Sequence, residues 1–138
     1  MDPLHKNCAG LDVHKRNIVA CVRTQRGAKV SNEVKTFGTN TDDLVDLFDW
    51  LASLEVEEVV MESTGVYWKP VWKVLECGFK LHLANAHEVK NVPGRKTDVK
   101  DAQWLAELMA HGLLRPSYVP DLDQQELREL TRTARMLA

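Results

Sequence analysis

The chain has 138 residues, of which 44% are hydrophobic and 28% charged, and its formal net charge is −2. This length and composition fit one soluble globular domain and exclude a disordered chain. No apolar stretch approaches the roughly 18 residues of a membrane span, and the N-terminus lacks the apolar core of a secretory signal. Cys8, Cys21 and Cys77 form no Cys-x-x-Cys pair, so they fit a reducing cytoplasm, and each is expected to be buried as a small hydrophobe.

Three strands are predicted at the start of the chain. They run near residues 7–14, 17–24 and 29–37, with a turn at Arg26 and Gly27 between the second and the third. Strands this close along the chain form an antiparallel meander.

Helical periodicity follows the third strand. Leu44, Leu47, Phe48 and Leu51 have the spacing of a buried helical stripe, and Asn40 or Thr41 can cap this helix. A strand near 57–62, a helix near 67–77 and a fifth strand at 80–84 come next. Since a β-α-β unit joins parallel strands, the order predicts an α/β fold with a mixed five-stranded sheet flanked by helices.

The C-terminal part is predicted to be helical, with loops between the helices. Residues 85–96 are interpreted as a loop, and Thr97 caps a helix from Asp98 to about His111. An extended segment up to Pro120 precedes a last helix, whose leucines have the spacing of a coiled-coil seam. We therefore divide the chain into a domain at 1–120 and the start of a helical segment at 121–138. A truncated coiled coil and a terminal helix packed on its own core fit this pattern equally well.

Four acids occupy positions where acids are costly. Asp12 interrupts an apolar strand, and Glu62 ends a buried strand, where ligands of α/β sheets bind. Asp98 and Asp101 lie three residues apart on one helix face, which continues through the apolar stripe of that helix. Each acid alone is explained by a solvated surface. Together they favour a site for magnesium or manganese, with two ions about 4 Å apart serving phosphoryl transfer.

Several segments resemble a known family, the DEDD transposases of bacterial insertion sequences of the IS-one-ten type. The matching segments are GLDVHK at 10–15, MESTGVYW at 61–68, PGRKTDVKDAQWLA at 93–106, HGLLRP at 111–116 and LRELTR at 127–132. They span nearly the whole chain, and the segment at 93–106 is the most specific.

The resemblance implies a RuvC-like, ribonuclease H-type fold in a bacterial cytoplasmic protein. It implies that Asp12, Glu62, Asp98 and Asp101 are the catalytic tetrad and bind magnesium. It also implies DNA recombination directed by a structured guide RNA, and a homo-oligomer in the full-length protein. That family carries a serine nucleophile in a second, C-terminal domain. Nothing in this sequence corresponds to that domain, so the expectation is a folded, metal-binding fragment that is inactive in complete strand exchange.

Nucleic-acid contacts are expected beside the acids. His14 and Lys15 directly follow Asp12, and Tyr67 can stack on a base. Cations near the acidic helix suit a phosphate backbone that approaches metal ions: Lys90, Arg95, Lys96 and Lys100.

Three other functions are compatible with parts of the sequence. A non-catalytic nucleic-acid-docking or dimerisation module would keep the acids and use the C-terminal heptads. A self-contained Holliday-junction resolvase would share the fold and the metal chemistry. An actin-like ATPase fits less well, because Val13, His14 and Lys15 replace the glycines that such proteins place after the first acid.

Overall fold

A computed structural model of the chain describes residues 7–63, 65–84, 89, 101–113 and 116–117. The helices and strands, in chain order, are β1 (Cys8–Val13), β2 (Ile18–Arg26), β3 (Lys29–Phe37), α1 (Thr41–Ser53), β4 (Glu58–Ser63), α2 (Trp68–Leu75), β5 (Lys80–Ala84), α3 (Asp101–Ala110) and β6 (Pro116–Ser117). The proposed helical segment at 121–138, the start of the helix at Asp98 and most of the loop at 85–96 lie outside the described residues.

The strands form one mixed sheet in the order β3-β2-β1-β4-β5-β6. Strands β1, β2 and β3 are antiparallel neighbours, whereas β1, β4 and β5 run parallel to one another. This topology confirms the predicted mixed sheet of five strands. It adds a short sixth strand, which pairs antiparallel with β5 inside the segment that was predicted to be extended.

The register of β2 and β3 is set by a two-residue turn at Gly27 and Ala28. Gly27 has a φ of 61°, and a type II′ hairpin turn takes glycine at this first central position. The turn places Arg26 opposite Lys29 and, eight residues further along, Ile18 opposite Phe37. A fixed register keeps Ile18, Ala20 and Val22 of β2 on the same buried face of the sheet.

Helices α1 and α2 cover one face of the sheet. Their buried stripes, which include Leu47 and Leu51 on α1 and Leu75 on α2, pack on alternate residues of β1, β2 and β4. Burial of apolar surface is the main force that holds these layers together. None of the described helices is long and apolar enough to cross a membrane.

Helix α3 covers the opposite face. Its buried residues, among them Leu105 and Leu108, pack on Cys8 of β1 and Val60 of β4. Strand β3 at the edge of the sheet is exposed along its length except for Phe37. The sheet is therefore covered on both faces, by α1 and α2 on one and by α3 on the other.

The cysteines do not all follow the expectation of burial. Cys8 and Cys21 are buried within β1 and β2, as the apolar context predicted. Cys77 is exposed, and that expectation was wrong. Helix α2 ends at Leu75, so Cys77 lies in the turn after the helix rather than on its buried stripe.

Candidate active site

Asp12 and Glu62 are direct neighbours on two adjacent strands. They form a register pair of the parallel strands β1 and β4, one residue before each strand ends. In a parallel pair, residues in register point to the same face, and neighbouring strands lie about 4.8 Å apart. Like charges that face each other across strands are destabilising. Two half-buried carboxylates therefore meet at the carboxyl edge of the sheet, where a cation would offset their repulsion.

His14 contacts the first of these acids. Its Nε2 atom lies 3.0 Å from Oδ2 of Asp12, with side-chain exposures of 51% for His14 and 18% for Asp12. The imidazole therefore orients the carboxylate from its solvent side. On β2, Val19 is the register partner of Asp12, so an apolar neighbour flanks the acid opposite Glu62.

The direction of α3 places its first described turn near Asp12. The thiol of Cys8 donates a hydrogen bond of 3.3 Å to the carbonyl of Ala106, whereas Gly10 faces Ala102 and Ala106. Helix α3 therefore runs antiparallel to β1. Two strand residues advance about 7 Å, which equals four to five helix residues. Moving from Gly10 to Asp12 thus leads towards the N-terminal end of α3, where Asp101 begins its described part.

Asp101 begins the described part of α3 and is exposed, although Leu105 on the same stripe is buried. Among the residues that the structure describes, no group of three or more His, Cys, Asp or Glu side chains is arranged to hold a metal ion. Asp12 thus lies in register with Glu62 and contacts His14, and Asp101 begins the described part of α3. Asp98 lies outside the described residues.

The predicted nucleic-acid contacts divide into two groups. Lys15 is exposed in the turn between β1 and β2, and Tyr67 is 40% exposed just before α2. Both follow the strands that carry the paired acids, so both lie at the same edge of the sheet. The remaining cations lie outside the described residues: Lys90, Arg95, Lys96 and Lys100.

A second polar cluster lies at the opposite edge of the same face and was missed by sequence reasoning. Nε2 of His82 lies 3.2 Å from Oε2 of Glu58, and Nζ of Lys80 lies 3.8 Å from Oε1 of that carboxylate. Lys80 is the register partner of Glu58, and His82 follows two residues later. The sequence signal was the alternation of polar residues in the two strands, but pairing them required the register.

Paired acids on the central parallel strands of a mixed sheet, with an antiparallel meander before them, define a RuvC-like domain of the ribonuclease H type. The fold is similar to "T. thermophilus RuvC in complex with Holliday junction substrate", with a TM-score of 0.53 and 15% identity, over 82% of this chain and 100% of that chain. The family model of the DEDD transposases of IS110 type, described as a transposase, matches residues 9–138. The chain belongs to this family.

Two further solved structures are similar to this chain at lower TM-scores. Two structures of the Ppx/GppA protein family from Aquifex aeolicus have TM-scores of 0.39 and 0.38 and identities of 12% and 9%. Each covers 61% of this chain, which spans 36% and 38% of theirs. No curated protein matches the sequence. Family and fold together support DNA transposase or nuclease activity.

Proposed function

We propose that this chain is the catalytic domain of a metal-dependent DNA transposase that carries out phosphoryl transfer on DNA. Asp12, Glu62, Asp98 and Asp101 would hold Mg²⁺ or Mn²⁺, with two ions expected. The observation that carries the proposal is the register pair of Asp12 and Glu62 at the carboxyl edge of the central strands.

The donor chemistry of this pair fits such ions. Carboxylate oxygens are the ligands that hard divalent cations prefer, and two adjacent carboxylates supply up to four oxygens. When bound, the ions would supply activation of the attacking oxygen and stabilisation of the leaving oxygen. Without a cation, the like charges of Asp12 and Glu62 would disfavour each other.

The protein's own residues would hold and orient the DNA around this pair. His14 fixes one oxygen of Asp12 through its 3.0 Å contact, so the carboxylate presents its other oxygen. Lys15 in the adjacent turn would neutralise a backbone phosphate, and Tyr67 after β4 would stack on a base. The cations at 90, 95, 96 and 100 are proposed to contact the same backbone.

Further features of the full-length protein are proposed from its family. A structured guide RNA would direct the choice of DNA, and the full-length protein would act as a homo-oligomer. Residues 1–120 would form the catalytic domain, and residues 121–138 would begin a helical segment. Membership in the IS110-type transposase family supports these proposals.

Manganese binding tests the site with a matched pair of variants. Glu62→Gln and Glu58→Gln each remove one acid from β4, on the same face but at opposite ends. We expect Glu62→Gln to weaken Mn²⁺ binding at least tenfold, as loss of a metal-site group commonly does, in titrations followed by electron paramagnetic resonance. Glu58→Gln should bind like the wild type. Equal affinities for all three proteins would contradict the proposal.

DNA cleavage tests the reaction. The full-length transposase, with its RNA and Mg²⁺, should cut element-end DNA, and Asp12→Asn should abolish cutting while circular dichroism stays unchanged. Retained cutting by Asp12→Asn would contradict a catalytic role for this acid. Cutting of a four-way DNA junction by this chain alone, without RNA, would instead favour a self-contained resolvase.

A further inference from the structure

Gly10 lies where α3 packs closely on the sheet. A Cβ atom at this position would lie 2.6 Å from the backbone nitrogen of Ala106 and 2.7 Å from Cβ of Leu105. It would lie closer still to the carbonyl oxygen of Ala102. No side chain fits there while α3 keeps its place.

The neighbours of Gly10 are rigid. Two of the three nearest atoms belong to the helix backbone, which cannot rotate away as the end of a flexible side chain can. Ordinary van der Waals contact begins near 3.4 Å. An added methyl group would therefore push α3 away from β1 by about an ångström, because overlapping atoms repel steeply.

Gly10 also lies close to the candidate site along the strand. It shares a face of β1 with Asp12, two residues further along, and the antiparallel direction of α3 leads from Gly10 towards Asp101 at the start of the described helix. A shift of α3 at Gly10 would thus increase the distance from Asp12 and Glu62 to Asp101 at the start of the described helix.

We propose that Gly10 is a positioning residue, whose missing side chain sets the distance between α3 and the acids Asp12 and Glu62. This inference rests on the proposed function, since it takes the site to be completed by acids from the helix. Gly10 itself touches neither metal nor DNA. It acts through the helix that packs on it.

Manganese affinity separates positioning from stability. Gly10→Ala should bind Mn²⁺ about tenfold or more weakly, since ligand sets tolerate little displacement, while circular dichroism shows a folded chain. Leu47→Ala provides the control, because it removes a buried side chain of α1 on the other face of the sheet. It should lower the thermal midpoint while leaving Mn²⁺ affinity within about twofold of wild type.

A milder variant keeps the inference testable if Gly10→Ala does not fold. Cys21 packs on Ala102 and Ala106 from β2, so Cys21→Leu lifts the same part of α3 with a flexible side chain. It should weaken Mn²⁺ binding in the same direction.

Two results would overturn the inference in distinguishable ways. A folded Gly10→Ala or Cys21→Leu protein with wild-type Mn²⁺ affinity would refute the positioning role of Gly10. If Asp12→Asn loses Mn²⁺ binding in the same experiment, the proposal of a metal site still stands. Unchanged binding in Asp12→Asn would refute the metal site itself, and the role of Gly10 with it.

Discussion

The indole nitrogen of Trp104 donates a hydrogen bond of 3.2 Å to the carbonyl oxygen of Val89, and both residues are buried. Trp104 lies on α3, and Val89 belongs to the stretch between β5 and that helix. The bond therefore ties Val89, 15 positions earlier in the chain, to helix α3. A buried carbonyl that lost this donor would have no water to replace it.

Trp104→Phe is expected to lower the free energy of unfolding by about 1–3 kcal/mol, the cost of an unsatisfied buried acceptor. Urea denaturation followed by circular dichroism measures this loss. The matched change Trp72→Phe, at a half-buried ring that packs edge-on against Trp68, should cost less. A larger loss for Trp72→Phe would show that ring volume, rather than the hydrogen bond, determines the result.

Lys15→Ala should weaken DNA binding and reduce its salt dependence. If Lys15 neutralises one phosphate, the slope of log affinity against log salt concentration should fall by about 0.9. Lys29, exposed at the hairpin at the other end of β2, is the control, and Lys29→Ala should change neither quantity. Fluorescence anisotropy over a range of salt concentrations measures both. Similar losses in the two variants would indicate non-specific attraction.

The three thiols should differ in reactivity towards a thiol reagent at pH 8. Cys77 is exposed and should react at once, whereas Cys8 and Cys21 are buried and should react only as the chain unfolds. One fast thiol in native protein and three in denaturant are expected. Rapid reaction of a second thiol in the native protein would mean that β1 and β2 are less covered than described.

The buried thiol of Cys8 also makes the free energy of unfolding depend on pH in the alkaline range. Burial raises the pKa of the Cys8 thiol from 9.0 to about 12, with Arg23 opposing this shift. Folding therefore favours the neutral thiol. The contribution of Cys8 to the free energy of unfolding is complete below pH 9 and is lost as the pH rises towards 12. Wild type should lose stability over this interval more steeply than Cys8→Ala. Parallel curves for the two proteins would show that Cys8 does not titrate in this way.

Asp43 stabilises the start of α1. Its Oδ2 accepts a hydrogen bond of 3.2 Å from the backbone nitrogen of Asn40, the residue before the helix. Asp43→Ala should cost about 1 kcal/mol of unfolding free energy. Asp42→Ala removes a charge from the same turn and should cost only the helix-dipole term, about 0.3–1 kcal/mol. If both variants lose the same unfolding free energy, the hydrogen bond of Asp43 adds nothing to the effect of its charge.

Sequence periodicity predicted the bounds of some elements well. β3 and β5 run from Lys29 to Phe37 and from Lys80 to Ala84, as predicted, because turn residues or glycine flank each strand. Helix α2 spans Trp68–Leu75 and is shorter than the predicted 67–77, because the chain enters a turn directly after Leu75. The two-residue β6 has no periodicity of its own and depends on pairing with β5.

The site was predictable only in part. Acids in apolar strands led to the prediction of Asp12 and Glu62 as site residues, but their direct pairing follows from the parallel register of β1 and β4, which local sequence does not encode. The contact between His14 and Asp12 depends on the shape of a turn. The close packing of α3 on Gly10 joins residues more than 90 positions apart, so it could be seen only in three dimensions.

Strand β1 is bonded on both sides, to β2 and to β4, near the middle of the sheet. Its backbone has no hinge, so Asp12 cannot move without breaking ladders in two directions. The sheet thus holds Asp12 in place, so any change in the proposed distance between the sheet and helix acids would have to come from a movement of α3.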